Sequence, residues 1–272
     1  MSAPERDGEI LIAGRRLAWR ALGDGRRLLL AQGYGGSADD WPPDFLAALG
    51  RSFALLAPDN RGTGGSELGD PTELTIGSMA ADLEALLDEL AIDRVAVLGF
   101  SMGGFIAQAL AARAPERVES LALFSTDPGG PGALRAEAAD WNRLVDDSGT
   151  SRERASRTFS VIFPADVALR FDCEFGEIEA ESLAALSPAT FAAQERAMAD
   201  WWQAPPDLDG LSRISPVLIG HGAEDVVIPP GNAELLAKRF PGARVELFAG
   251  AGHAFAAQLP EAAADLISRC LS

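Results

Sequence analysis

With 272 residues, 47% of them hydrophobic and 23% charged, the chain can bury a sizeable core, which excludes a disordered tail or a disulfide-stapled miniature. A formal net charge of −17 excludes nucleic acid and anionic membrane surfaces as partners, because both are bound through clustered Lys and Arg. Two cysteines, two histidines, no apolar run of spanning length and a polar start over residues 1–10 point away from metal sites, secretion and membrane insertion, and toward a reduced, cytoplasmic setting.

In chain order, residues 9–12 and 16–22, joined by Ala13-Gly14, read as a β-hairpin that forms an antiparallel edge. The apolar run 27–31 is a buried strand, followed by Gln32-Gly33-Tyr34-Gly35-Gly36-Ser37, whose glycines let the backbone turn inward. Trp41 follows this loop, either as an anchor at the start of a helix or as part of a substrate pocket. A second buried strand spans 52–57, with the turn 59–66 behind it and a helix predicted over 75–90.

The strand 94–99 runs into Gly99-Phe100-Ser101-Met102-Gly103-Gly104 and then into a helix over 102–114. G-x-S-x-G in a strand–turn–helix context marks Ser101 as a nucleophile. The bend holds the serine backbone in a strained state and lifts its hydroxyl above the sheet, at a helix N-terminus that favours a developing negative charge. An oxyanion formed there needs two backbone N–H donors, and Met102, just after the nucleophile, supplies one. Tyr34, after the earlier strand 27–31, is the expected second.

Strand 120–125 is followed by Asp127, and from 127 to 209 the regular alternation breaks down. This interval is helical in pattern, lacks a convincing strand, and carries 16 Asp or Glu against 7 Arg. It reads as a helical cap inserted between two parts of one core domain, residues 1–126 and 210–272. Adjacent Trp201 and Trp202 suggest ligand stacking, although neighbours on a helix point in different directions, so one at most should see substrate.

Strand 216–220 leads to His221-Gly222-Ala223-Glu224-Asp225, a helix covers 232–240, strand 244–248 leads to Gly250-Ala251-Gly252-His253, and a final helix covers 261–271. A serine hydroxyl needs an imidazole base, and the base needs a carboxylate to fix its tautomer. His253 is the expected base. His221, four residues from the obvious acid, is read as tying its own loop down by hydrogen bonding. Asp225 is the expected acid, with Asp127 and Glu224 as competitors. The alternation of strands and helices predicts an α/β fold: a mostly parallel sheet of about eight strands flanked by helices.

The combination of Gln32-Gly33-Tyr34, the turn 59–66, Gly99-Ser101-Gly103, Asp225 and His253 resembles the α/β-hydrolase superfamily over nearly the whole chain. Gly99 to Gly104, and Gly252-His253-Ala254-Phe255, are similar to small capped esterases, enol-lactonases and cofactor-free perhydrolases. Gln32 stands where such proteins commonly carry His; both side chains donate and accept hydrogen bonds, so the turn should persist. The resemblance implies hydrolysis of a small-molecule carboxylic ester or lactone through an acyl-serine. It implies a catalytic Ser101–His253–Asp225 triad, a structural role for Asp59 and Arg61, and no cofactor or metal. Perhydrolysis or carbon–carbon bond hydrolysis on the same triad, and a ligand-binding protein without chemistry, are the alternatives.

Overall fold

A computed structural model describes residues 5–271; Met1–Pro4, part of the polar start considered above, and Ser272 lie outside it. The elements in chain order are β1 (Glu5–Ile12), β2 (Arg15–Leu22), β3 (Arg27–Ala31), α1 (Pro43–Leu49), β4 (Ala54–Pro58), α2 (Ile76–Glu89), β5 (Val95–Phe100), α3 (Met102–Arg113) and β6 (Val118–Phe124). They continue as α4 (Ala138–Val145), α5 (Ser151–Ile162), α6 (Ala165–Ala185), α7 (Pro188–Gln203), β7 (Val217–Gly222), α8 (Asn232–Arg239), β8 (Arg244–Phe248), α9 (Phe255–Gln258) and α10 (Pro260–Leu271).

The eight strands form one sheet in the order β1-β2-β4-β3-β5-β6-β7-β8. β1 and β2 pair antiparallel, β2 joins β4 antiparallel, and every pairing from β4 to β8 is parallel. The expected mostly parallel sheet with an antiparallel edge is therefore present. The edge is longer than predicted, because Glu5 to Gly8 pair with Trp19 to Leu22 despite their polar sequence. Backbone pairing with β2 overrides the low strand propensity of that stretch.

The central strands carry apolar residues on both faces, and the period of two sorts them. Leu29, Val97, Leu121, Leu123 and Ile219 face one side and pack with α2 and α3, through residues such as Leu83, Phe105 and Leu110. Leu28, Leu30, Leu98, Ala122 and Leu218 face the other, against α1 and α10. Each fully buried Leu of this kind contributes about 1.5–3 kcal/mol.

Local signals set the lengths of the helices. Thr75 caps α2 through a reciprocal pair with Ser78. Ala91 at φ 50° ends it, with Ile92 N donating to Leu87 O at 2.8 Å. Between β6 and β7 the chain forms α4 to α7 and no strand. No helix among the described residues is long and apolar enough to cross a membrane.

Candidate active site

The sequence signals converge at the C-terminal ends of β3, β5, β7 and β8. β5 ends at Phe100 and α3 begins at Met102, leaving Ser101 alone to reverse the chain at φ 55° and ψ −123°. That left-handed conformation is costly for a non-glycine residue and is held by its surroundings. Ser101 N donates to Phe124 O at 2.9 Å, and Thr126 Oγ1 donates to Ser101 O at 2.9 Å. A Cβ at Gly99 would stand 2.4 Å from Gly103 O, and one at Gly103 would stand 2.0 Å from Ala31 O. Both obstacles are backbone, so only glycine fits.

Met102 is the first residue of α3, where an amide has no intrahelical acceptor. Tyr34 N likewise makes no hydrogen bond among the described residues. The Tyr34 loop is held from several directions. Asn60 Nδ2 donates to Gln32 O at 2.8 Å, Gln32 Oε1 accepts the Gly33 amide at 2.9 Å, and Gln194 Oε1, on α7, accepts the Gly35 amide at 2.8 Å. The Tyr34 hydroxyl donates to Glu195 Oε1 at 2.6 Å, and its phenol is pushed above its ordinary range by burial and by that carboxylate. Asp59 accepts the amides of Ala38 and Gly65, each at 2.7 Å, and Arg61 forks onto buried Asp82 at 2.5 and 2.9 Å.

His253 and Asp225 meet: Nδ1 of the imidazole lies 2.8 Å from Asp225 Oδ2. The other oxygen of Asp225 accepts the amides of Val227 and Ile228, both at 2.9 Å. His221 Nε2 reaches the same Oδ2 at 3.1 Å and Ile228 O at 2.6 Å, so Nε2 carries the proton. Its buried Nδ1 has no hydrogen-bond partner among the described residues. Burial alone would raise the Asp225 carboxyl, but the adjacent His253 and the hydrogen bonds from both imidazoles outweigh it and hold the group well below the usual carboxylate range.

The competing acids are elsewhere. Glu224 is exposed. Asp127 is buried and accepts Trp202 Nε1 at 2.8 Å, Trp201 Nε1 at 3.2 Å and the Gly129 amide at 2.7 Å. Burial raises its carboxyl, with those donors opposing the shift.

Ser101 and His253 line one cavity of about 320 Å³, bounded below by the strand ends and above by α5 and α6. Trp41 also lines it, packed edge-on against Phe100. Trp201 and Trp202 do not, which corrects the stacking expectation. Trp201 stacks on Phe105 of α3, Trp202 meets the same ring edge-on, and both indoles turn their N–H groups to Asp127. A carboxylate three residues past β6, with no cation next to it in sequence, was the available signal for that arrangement. Sequence reasoning missed Arg154 and Glu179 in the cavity wall, since an acidic helix resembles a solvated one until its partners are known.

Comparison with known proteins gives a consistent picture. A family model described as alpha/beta hydrolase fold matches residues 26–160, and one described as the dienelactone hydrolase family matches residues 189–270. RutD of Pseudomonas savastanoi pv. phaseolicola, named as a candidate carbamate hydrolase, is 31% identical over 85% of this chain and 88% of its own. Among solved structures, a hydrolase from Pseudomonas aeruginosa PA01 is 30% identical with a TM-score of 0.80, covering 96% of this chain and 97% of its own. The enol-lactonase from Burkholderia xenovorans LB400 is 25% identical with a TM-score of 0.81, covering 96% and 98%.

Proposed function

Because the chain belongs to the α/β-hydrolase fold family, we propose that it is a serine hydrolase cleaving a small-molecule carboxylic ester or lactone. One observation carries the reading: a serine held at φ 55° on a helix N-terminus shares a cavity with an imidazole whose far nitrogen is bonded to a buried, ionised carboxylate. In the proposed reaction Ser101 Oγ attacks the substrate carbonyl while His253 Nε2 takes the hydroxyl proton. The amides of Met102 and Tyr34 hold the oxyanion; loss of one such donor costs about 2.7–4 kcal/mol of transition-state stabilisation. His253 returns the proton to the leaving alkoxide, and water, deprotonated by the same imidazole, releases the acid. Asp225 keeps the Nδ1–H tautomer in place and stabilises the imidazolium.

An ester or lactone fits the apolar cavity wall, and the enol-lactonase relative acts, by its name, on a lactone. The RutD relative makes a carbamate the first substrate to add to a test panel. A reduced, cytoplasmic setting belongs to the same reading and is supported by two cysteines that are both free thiols. Fluorophosphonate labelling tests the nucleophile. Wild type should be tagged and Ser101→Ala should not, with turnover of a short-chain ester falling by about 10⁴ to 10⁶-fold in the variant. A wild-type protein that resists the probe and hydrolyses no ester, lactone or carbamate would overturn the proposal in favour of a ligand-binding role. Peracid formation from an ester and hydrogen peroxide, or cleavage of a carbon–carbon bond without ester turnover, would redirect it.

A further inference from the structure

Glu179, on α6, differs from the other acidic side chains of the cavity wall. Asp39 pairs with Arg20, and Asp146 pairs with Arg157 at 3.4 Å. Asp40 accepts the Ser37 amide at 2.6 Å, the Ser37 hydroxyl at 2.8 Å and the Ser182 hydroxyl at 3.0 Å. Glu179 is half-buried and has no hydrogen bond or ion pair among the described residues; the charge that acts on it is the like charge of Asp40. Burial, with Asp40 adding to it, raises the Glu179 carboxyl to about 7. Arg154, the one Arg or Lys of the wall among the described residues, lies over the Phe191 ring at 4.6 Å and forms no ion pair with Glu179. The Tyr34 hydroxyl is committed to Glu195.

The position of Glu179 along its helix gives it a second meaning. Phe171, Phe175 and Glu179 recur at intervals of four, so α6 presents two aromatic rings and then a carboxyl along one stripe, and all three line the cavity. Arg170 already lies over the Phe171 ring at 5.6 Å, which leaves Phe175 as the aromatic ring beside the unpaired carboxylate, a combination that attracts a cation. The net charge of −17 raises the local concentration of cationic solutes.

We propose that Glu179, seconded by Asp40, is a specificity determinant that selects acyl substrates carrying a cationic ammonium group. This rests on the serine hydrolase reading above. Two p-nitrophenyl esters of equal shape test it: the cationic 4-(trimethylammonio)butanoate and the neutral 5,5-dimethylhexanoate. Their kcat/KM values are compared as a ratio after division by the rate of each ester in buffer, so that intrinsic reactivity and any pH effect common to both esters cancel. At pH 8, with Glu179 ionised, wild type should favour the cation by about tenfold. The preference should shrink toward pH 6 as Glu179 takes up a proton. Glu179→Gln should bring the ratio near one at both pH values, and Glu179→Asp should retain part of it. A wild-type ratio near one, or a Glu179→Gln ratio equal to wild type, overturns the inference. If Ser101→Ala still abolishes turnover in that case, the serine hydrolase reading stands. Failure of wild type to hydrolyse either ester, together with resistance to the fluorophosphonate probe, defeats that reading and this inference with it.

Discussion

Helix α7 and the α5–α6 pair belong to the same stretch between β6 and β7, yet they bury themselves in different ways. α7 sends Ala193, Ala197, Met198, Trp201 and Trp202 into the main core beside α2 and α3, and its Gln194 and Glu195 grip the Tyr34 loop. α5 and α6 close mainly on one another around Phe159, Phe163 and Ala168, and leave Leu169 and Ile178 of α6 71% and 65% exposed. Sequence continuity therefore does not make this interval one unit. Its last helix works as a pillar of the core, and the pair before it works as a roof over the cavity.

Substituting the pillar and the roof separately would break this contrast if it is wrong. The largest effect is expected for Asp127→Ala, which leaves two indole N–H groups and the Gly129 amide without an acceptor. Urea denaturation should show a loss of about 3 kcal/mol or more; unchanged stability would mean that α7 is not tied to the core through this carboxylate. Phe171→Ala in the roof should cost only about 1 kcal/mol, because the ring is half-buried in a small satellite cluster. It should instead change KM for an apolar ester several-fold, and the reverse pattern, a large stability loss with constant KM, would erase the distinction.

The smallest effect concerns pH. With its carboxyl raised from 4.5 to about 7, Glu179 holds a proton in the folded state that the unfolded chain has released, so its contribution to stability falls as pH rises through that window. Glu179→Gln lacks this loss, and its Tm relative to wild type should rise between pH 5 and pH 8. Partial solvent screening of the carboxyl keeps the change to about 2 °C. A constant difference across that range would mean that the carboxyl titrates normally.

The two regions also differ in how far the sequence announced them. Continuous apolar runs gave β3, β5, β6 and β7, and the glycines around Ser101 gave the bend, because backbone sterics leave few alternatives there. Residues His253 and Asp225 could be placed at strand ends from the apolar runs they follow and from their order after Ser101, and the structure brings them within hydrogen-bond distance. The helices of the roof and pillar show similar polar patterns in sequence. Which faces they present is decided by partners far along the chain, as with Trp202 and Asp127, 75 residues apart. Trp201 and Trp202 looked like ligand platforms and proved to be donors to a buried acid. Glu179 was one of 16 acidic residues in its interval, with nothing in the sequence to set it apart. Both cases turn on tertiary placement, which helical periodicity does not encode.

One backbone contact joins the roof to the loop that carries His253. Ala254 N donates to Ile162 O, the carbonyl of the last residue of α5, at 3.1 Å, and Ala254 directly follows the imidazole residue. Displacing the end of α5 must either sever that bond or move the backbone one residue from His253, so the roof and the imidazole are not mechanically independent.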